Sequence, residues 1–324
     1  MNEVLHRILV ESDAWRIFDG EMRRRPFHAY LVVSDDDVLR EGMLQLMLLR
    51  IYCESACGSC AECRKILSGS KPDIVQPNPD GEPLTLGKHK LLEKVVEDTN
   101  LGSFEGGKKV YVLRSMHEAG ERVQNLLLKS LEEPAPSVVF LLGANHTGSI
   151  LPTVLSRVKT LSLPPLSAGD VRSWLEEEGE AQAEVIARLA SGNLTVAKAI
   201  HGRTDYFDKL QEVLDWFAAC KRSRDVMHYI YAPMWSKEQI GETLSMMGRV
   251  VQDLLYIQCG RQDAVTYQNK LSALLPLSCE FSPRALPQVM ELVETAKQKV
   301  AAYCGAANIA DDLMLGILEV KSKW

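Results

Sequence analysis

The chain has 324 residues, 46% of them hydrophobic and 25% charged, with a formal net charge of −6. That composition is ordinary for a soluble protein of two or three domains, and the acidic balance argues against coating nucleic acid through bulk charge. No apolar run approaches the roughly 20 residues that cross a bilayer. The N-terminus MNEVLHRILVESD is not a secretory signal, so a cytoplasmic protein without membrane contacts is expected.

Taken in order, residues 2–11 put Val4, Leu5, Ile8 and Leu9 on one helical face. Arg23, Arg24 and Arg25 read as a solvated basic turn. HAYLVVS (28–34) reads as the first buried strand, and the chain turns helical from about Asp36. A strand running straight into a helix is where a phosphate-binding loop would sit. Such a loop needs glycines, so that its N–H groups can wrap phosphates, and a lysine to reach the terminal ones. Here the junction Ser34–Glu41 reads SDDDVLRE, with no glycine before Gly42 and three consecutive carboxylates. Those carboxylates suit a helix N-terminus and repel triphosphate, so no ATP is expected at this site.

Cys53, Cys57, Cys60 and Cys63 follow at C-x3-C-x2-C-x2-C. Four thiolates at this spacing can close a tetrahedral zinc site with no open position, which is a structural site. Cys220, Cys259, Cys279 and Cys304 have no ligand spacing and are expected as small core residues. A short strand is expected around Asp73–Gln76, a helix over 88–100, and a buried strand in KKVYVLR. In an ATPase that last strand would end in acids that hold Mg²⁺. This one ends in Arg114, Ser115, Met116 and His117, with Glu118 too far along to substitute and His117 more simply structural. A helix over 118–133 presents Val123, Leu127 and Leu131; the strand SVVFLLG (137–143), the short helix in LPTVLSRV and a last strand in KTLSLPPL complete the pattern. Strands alternating with helices predict an α/β domain with a mostly parallel sheet over residues 1–164. Three short helical patterns make a small lid-like domain over 165–203. The remainder, 204–324, is expected to be all-α, with helices at 206–221, 225–231, 237–259, 264–275, 283–304 and 309–321.

HAYLVVS, the four-cysteine insert, NLLLKSLEEPAPSVVFLLGAN and LPTVLSRV together resemble the AAA+ subunits of the bacterial DNA polymerase III clamp loader. Those are the ATP-hydrolysing gamma/tau subunit and its relative delta-prime. The resemblance covers the first two domains well and the third in layout, where NIADDLMLGILEV is similar to the last helix of an oligomerisation collar. The missing phosphate loop and missing acids place the chain nearer delta-prime. The resemblance then implies a subunit that does not itself hydrolyse ATP and that carries a zinc module at 53–63. It implies that Ser156 and Arg157 project into a neighbour's ATP site, with Arg157 as an arginine finger in trans. The implied partners are gamma/tau, delta, the sliding clamp beta and primer–template DNA through the complex. From the residues alone, Arg157 reads as an ordinary strand-edge salt-bridge partner. The chain departs from the family at three points. Only three residues separate Cys53 from Cys57, Val158 stands where the family writes SRC, and Val196 in GNLTVA stands where a small-domain arginine senses ATP. The competing readings are a gamma/tau-type ATPase with an atypical site and a stand-alone zinc-dependent DNA-binding protein.

Overall fold

The central strands form because uninterrupted apolar runs are buried on both faces of a parallel sheet. The full sheet holds β1 (Ala29–Val33), β2 (Ile74–Val75), β3 (Lys109–Leu113), β4 (Val138–Ala144) and β5 (Lys159–Ser162), in the order β2-β3-β4-β1-β5 with every pairing parallel and with β2 and β5 as its less buried edges. Strand β4 lies in the middle, with Ala29 opposite Phe140 on one side and Lys109 opposite Val138 on the other. The computed structural model describes residues 2–84, 103–219, 232–302 and 305–323. The helices expected over 88–100 and 225–231, and Cys220 and Cys304, lie outside the described residues.

The chain divides into two compact units, residues 1–183 with 190–199, and residues 184–189 with 200–324. In the first, α1 (Glu3–Glu11) and α2 (Asp13–Met22) precede β1. Sequence reading missed α2, although its cap is written plainly: Ser12 Oγ accepts from the Trp15 N–H at 3.1 Å, and Trp15 and Phe18 bury one face. Helix α3 (Asp37–Tyr52) carries Gly42 under α1; a Cβ there would lie 2.9 Å from Leu9 Cδ1, so a larger residue would have to displace the Leu9 side chain. Helix α4 (Ala61–Leu67) follows the cysteines. Beyond β3, Met116–Glu118 is a 3₁₀ turn and α5 (Glu121–Glu132) begins only after Gly120, which corrects the expected helix start at 118. Val123, Leu127 and Leu131 are buried against the sheet as the stripe predicts. Helix α6 (Pro152–Leu155) leads into β5, and α7 (Ala168–Glu177), α8 (Ala183–Ala190, most of it counted with the second unit) and α9 (Leu194–Ile200) are the three short helices expected after it.

In the second unit the described elements from Thr204 onward are helical: α10 (Thr204–Ala219), α11 (Ile240–Gln258), α12 (Leu271–Cys279), α13 (Ala285–Ala301) and α14 (Ala306–Lys323). Helix α11 is the hub, burying Leu244, Val251 and Leu254. The helix expected over 264–275 is displaced to α12. The buried carboxylate of Asp253 takes the N–H groups of Thr266 (2.7 Å) and Tyr267 (2.9 Å), removing them from any helical ladder. Cys259 and Cys279 are exposed rather than core residues. Both stand at helix C-termini, where the chain turns at the surface. Among the described residues no helix is long and apolar enough to cross a membrane.

Candidate functional site

The C-terminal ends of β1, β3 and β4 surround a cavity of about 310 Å³ whose lining includes Asp37, Arg40, Glu41, Arg114, Ser115, His117 and Asn145. This is the position at which an open α/β sheet binds ligands. Its anion-binding elements are already occupied by the chain itself. Asp36, 1% exposed, caps α3 by accepting from the N–H groups of Val38 (2.9 Å) and Leu39 (3.2 Å). The same carboxylate accepts from the Leu194 N–H and from Thr195 Oγ1 (2.9 Å) at the start of α9. Two helix N-termini that could face phosphates are therefore neutralised by one internal carboxylate. Arg40 is buried, donating to the Ser34 carbonyl at 2.9 Å and to Asn145 Oδ1 and Asp37. It lies over Gly143, where a Cβ would meet Arg40 Cδ at 3.2 Å.

At the end of β3, Arg114 donates to Glu41 (2.5 Å) and Gln76 (2.7 Å), and the buried Asn78 side chain brackets its backbone N–H and carbonyl. Ser115 is left-handed (φ 55°), with Oγ donating to the Gly81 carbonyl at 2.6 Å. Burial holds His117 below its ordinary pKa, and the neutral ring accepts the Asn145 N–H through Nδ1 at 3.3 Å. Arg40, Arg114, Ser115 and His117 are thus bonded to neighbours along this edge, with Arg40 Nε left buried and unpartnered.

Arg157 lies elsewhere. The strands are all parallel, so the residues just before β5 sit at the N-terminal edge of the sheet, opposite the cavity. The seven residues of β4, at about 3.3 Å each, put roughly 20 Å between the two edges. Arg157 Nη1 donates to the Thr153 carbonyl (2.7 Å) and Ser156 Oγ (3.0 Å), while Nη2 donates to Glu132 at the end of α5. The guanidinium remains 31% exposed, at the surface and remote from its own cavity. Val196, at the position of the expected sensing arginine, is also exposed.

The four cysteines converge. All four Sγ atoms lie within 4.8 Å of one another, with Cys53–Cys57 at 3.8 Å and Cys57–Cys63 at 3.9 Å. A tetrahedral ion with zinc–sulfur bonds of about 2.3 Å needs sulfurs about 3.8 Å apart, so this group could hold a metal ion. Cys60 N–H donates to Cys57 Sγ and Cys63 N–H to Cys60 Sγ, each at 3.4 Å. The turn depends on positive φ at Ala56 (47°) and Gly58 (69°). The module is tied to the sheet by Lys71, buried beside the Tyr52 ring and bonded to Glu62 (2.7 Å) and Glu105 (2.6 Å). Sequence reasoning missed this support, because the two glutamates are far apart in the chain.

A family model described as DNA polymerase III, delta subunit, matches residues 11–167. A Bacillus subtilis protein named DNA polymerase III subunit delta' is 23% identical over 330 residues, covering 98% of this chain and 98% of its own length. Over nearly its whole length the chain is thus similar to a DNA polymerase III subunit delta'. A Pseudomonas aeruginosa delta' is 29% identical over 194 residues, spanning 56% of this chain and 58% of the relative. The Escherichia coli protein named DNA polymerase III subunit tau is 30% identical over 189 residues, covering 54% of this chain and 29% of its own length.

Proposed function

We propose that this chain is a clamp-loader subunit that does not hydrolyse ATP and supplies Arg157 in trans to the ATP site of a gamma/tau neighbour. Within the assembly it would work with delta to place the beta clamp on primer–template DNA during replication. The observation that carries this reading is the separation of the two edges. The cavity is lined by side chains bonded to one another, and Arg157, partly exposed, lies at the opposite end of the sheet. A guanidinium there cannot serve its own site but can meet a nucleotide on a neighbouring surface. A planar fork of donors is suited to charge spreading over a transferring phosphoryl group. Ser156 fits a positioning role, because its hydroxyl accepts from Arg157 while donating to the Thr153 carbonyl.

The division into an α/β domain (1–164), a lid (165–203) and a collar (204–324) is part of the same proposal. So is structural zinc on Cys53, Cys57, Cys60 and Cys63, since four sulfurs leave no position for a reacting water. The test is Arg157→Ala in the reconstituted clamp loader. Fingers of this kind raise NTPase rates by about 10³–10⁵, so ATP turnover at the dependent interface should be lost and clamp loading should fall with it. Unchanged turnover and loading would overturn the reading.

A further inference from the structure

We infer that Glu132 is a displaceable counter-ion that restrains Arg157 until a terminal phosphate of a neighbouring subunit's nucleotide replaces it. The inference rests on the assignment of Arg157 as a finger acting in trans.

Three observations meet at this pair. First, Arg157 Nη2, a terminal nitrogen of the guanidinium fork, is taken by the Glu132 carboxylate, while Nη1 is held by the Thr153 carbonyl and Ser156 Oγ. A phosphoryl group approaching the fork must therefore compete with a carboxylate of this chain. Second, Glu132 is the last residue of α5 and is followed by Glu133. Negative charge at a helix C-terminus is disfavoured by the helix dipole, so this carboxylate does not serve the helix that carries it. Its favourable partner is Arg157. Third, both side chains are partly open, 31% for Arg157 and 48% for Glu132, so an incoming anion can reach the pair. An exposed carboxylate–guanidinium pair is weak. A nucleotide's terminal phosphate carries more charge, presents three acceptor oxygens, and would meet the arginine at an interface that excludes water, where charged hydrogen bonds are stronger. The exchange then runs toward phosphate only when the neighbour is loaded. Without that phosphate, the finger stays on its own chain.

The experiment uses the complete clamp loader assembled with Glu132→Gln, Arg157→Ala and the double variant, together with Glu133→Gln as a control on the adjacent exposed carboxylate. Glutamine keeps a hydrogen-bond acceptor but removes the competing charge. The KM for ATP should fall by about two- to fivefold with Glu132→Gln, the range an exposed ion pair supports. The maximal rate and the subunit's thermal midpoint should be unchanged. Glu133→Gln should have no effect, and the Glu132→Gln gain should vanish when Arg157 is already alanine. An unchanged KM with Glu132→Gln, alongside a clear loss with Arg157→Ala, overturns the restraint and leaves the finger standing. A fall in maximal rate with Glu132→Gln also overturns it, because Glu132 would then be orienting the finger. If Arg157→Ala itself has no effect, both readings fall.

Discussion

Asp36 offers the sharpest test of how the chain ties two helix starts together beside the cavity. Its carboxylate accepts from the N–H groups of Val38 and Leu39 at the start of α3, and from the Leu194 N–H and Thr195 hydroxyl at the start of α9. Asp36→Ala removes an N-cap, which costs about 0.5–2 kcal/mol. It also leaves the buried Leu194 N–H without an acceptor, about 1–3 kcal/mol more. The expected loss is therefore about 2–5 kcal/mol in urea unfolding of the purified chain. Asp35→Ala, the exposed neighbour, should stay within about 0.5 kcal/mol of the parent. Amide exchange locates the effect: protection at Val38, Leu39 and Leu194 should drop together in Asp36→Ala. A loss below about 1 kcal/mol, or unchanged protection at Leu194, would refute the claim that one carboxylate joins two helix starts.

Metal analysis of the purified chain should return one zinc per molecule. Burial pushes the Cys63 thiol up to about 12, while donors around Cys57, Ser59 first among them, bring it down to about 5. A bound cation is what would let all four ionise together, so zinc should be released as pH falls and thiols compete for protons; Cys63→Ser should lose the metal at neutral pH. In the second unit, hydrogen bonds from Arg203 (2.6 Å) and Lys209 (3.0 Å) outweigh burial and hold Glu242 below its ordinary 4.5. That stabilisation is full above the unfolded value and is lost as pH falls through the lower folded value. Glu242→Gln should cost about 1 kcal/mol or less at pH 7, given the partial exposure of the pair. The difference from the parent should disappear in acid melts once pH falls below the lowered folded value of Glu242.

What the sequence shows well is what depends on near neighbours. Val110–Leu113 and Val138–Leu142 are unbroken apolar runs, and the spacing of Val123, Leu127 and Leu131 gives their helix its buried face. The cysteine cluster is equally local, and its sulfurs meet as the spacing predicts. What stays hidden depends on partners far along the chain. Asp36 bonds residues 158 and 159 positions away, and Lys71 reaches Glu105 across 34. The displaced helix at 264–275 fails for the same reason, since Asp253 captures backbone N–H groups that periodicity assigns to a helix. Helix α2 is a different kind of miss. Its cap is local, but a stretch of ten residues between an amphipathic helix and a basic turn carries too short a pattern to stand out.

Charged side chains stand along the cavity wall where a phosphate loop would lie, and this bears on how the far edge can act. Arg40 brings a positive charge into the space beside Gly143 and spends it on Asp37, the Ser34 carbonyl and Asn145. Arg114 does the same with Glu41 and Gln76. A site that waits for nucleotide must keep donors unspent, and its closure then depends on whether ligand is present. Here most of these donors are spent internally, Arg40 Nε excepted, and the bonds tie the ends of β1, β3 and β4 to one another. A guanidinium acting on another subunit's phosphate gains from such a base, because displacements of about 1 Å can cost a factor of 100 in rate. On this argument the bonded residues around the cavity keep the sheet fixed, and Arg157, at the opposite edge and paired with a half-exposed carboxylate, is the group able to respond.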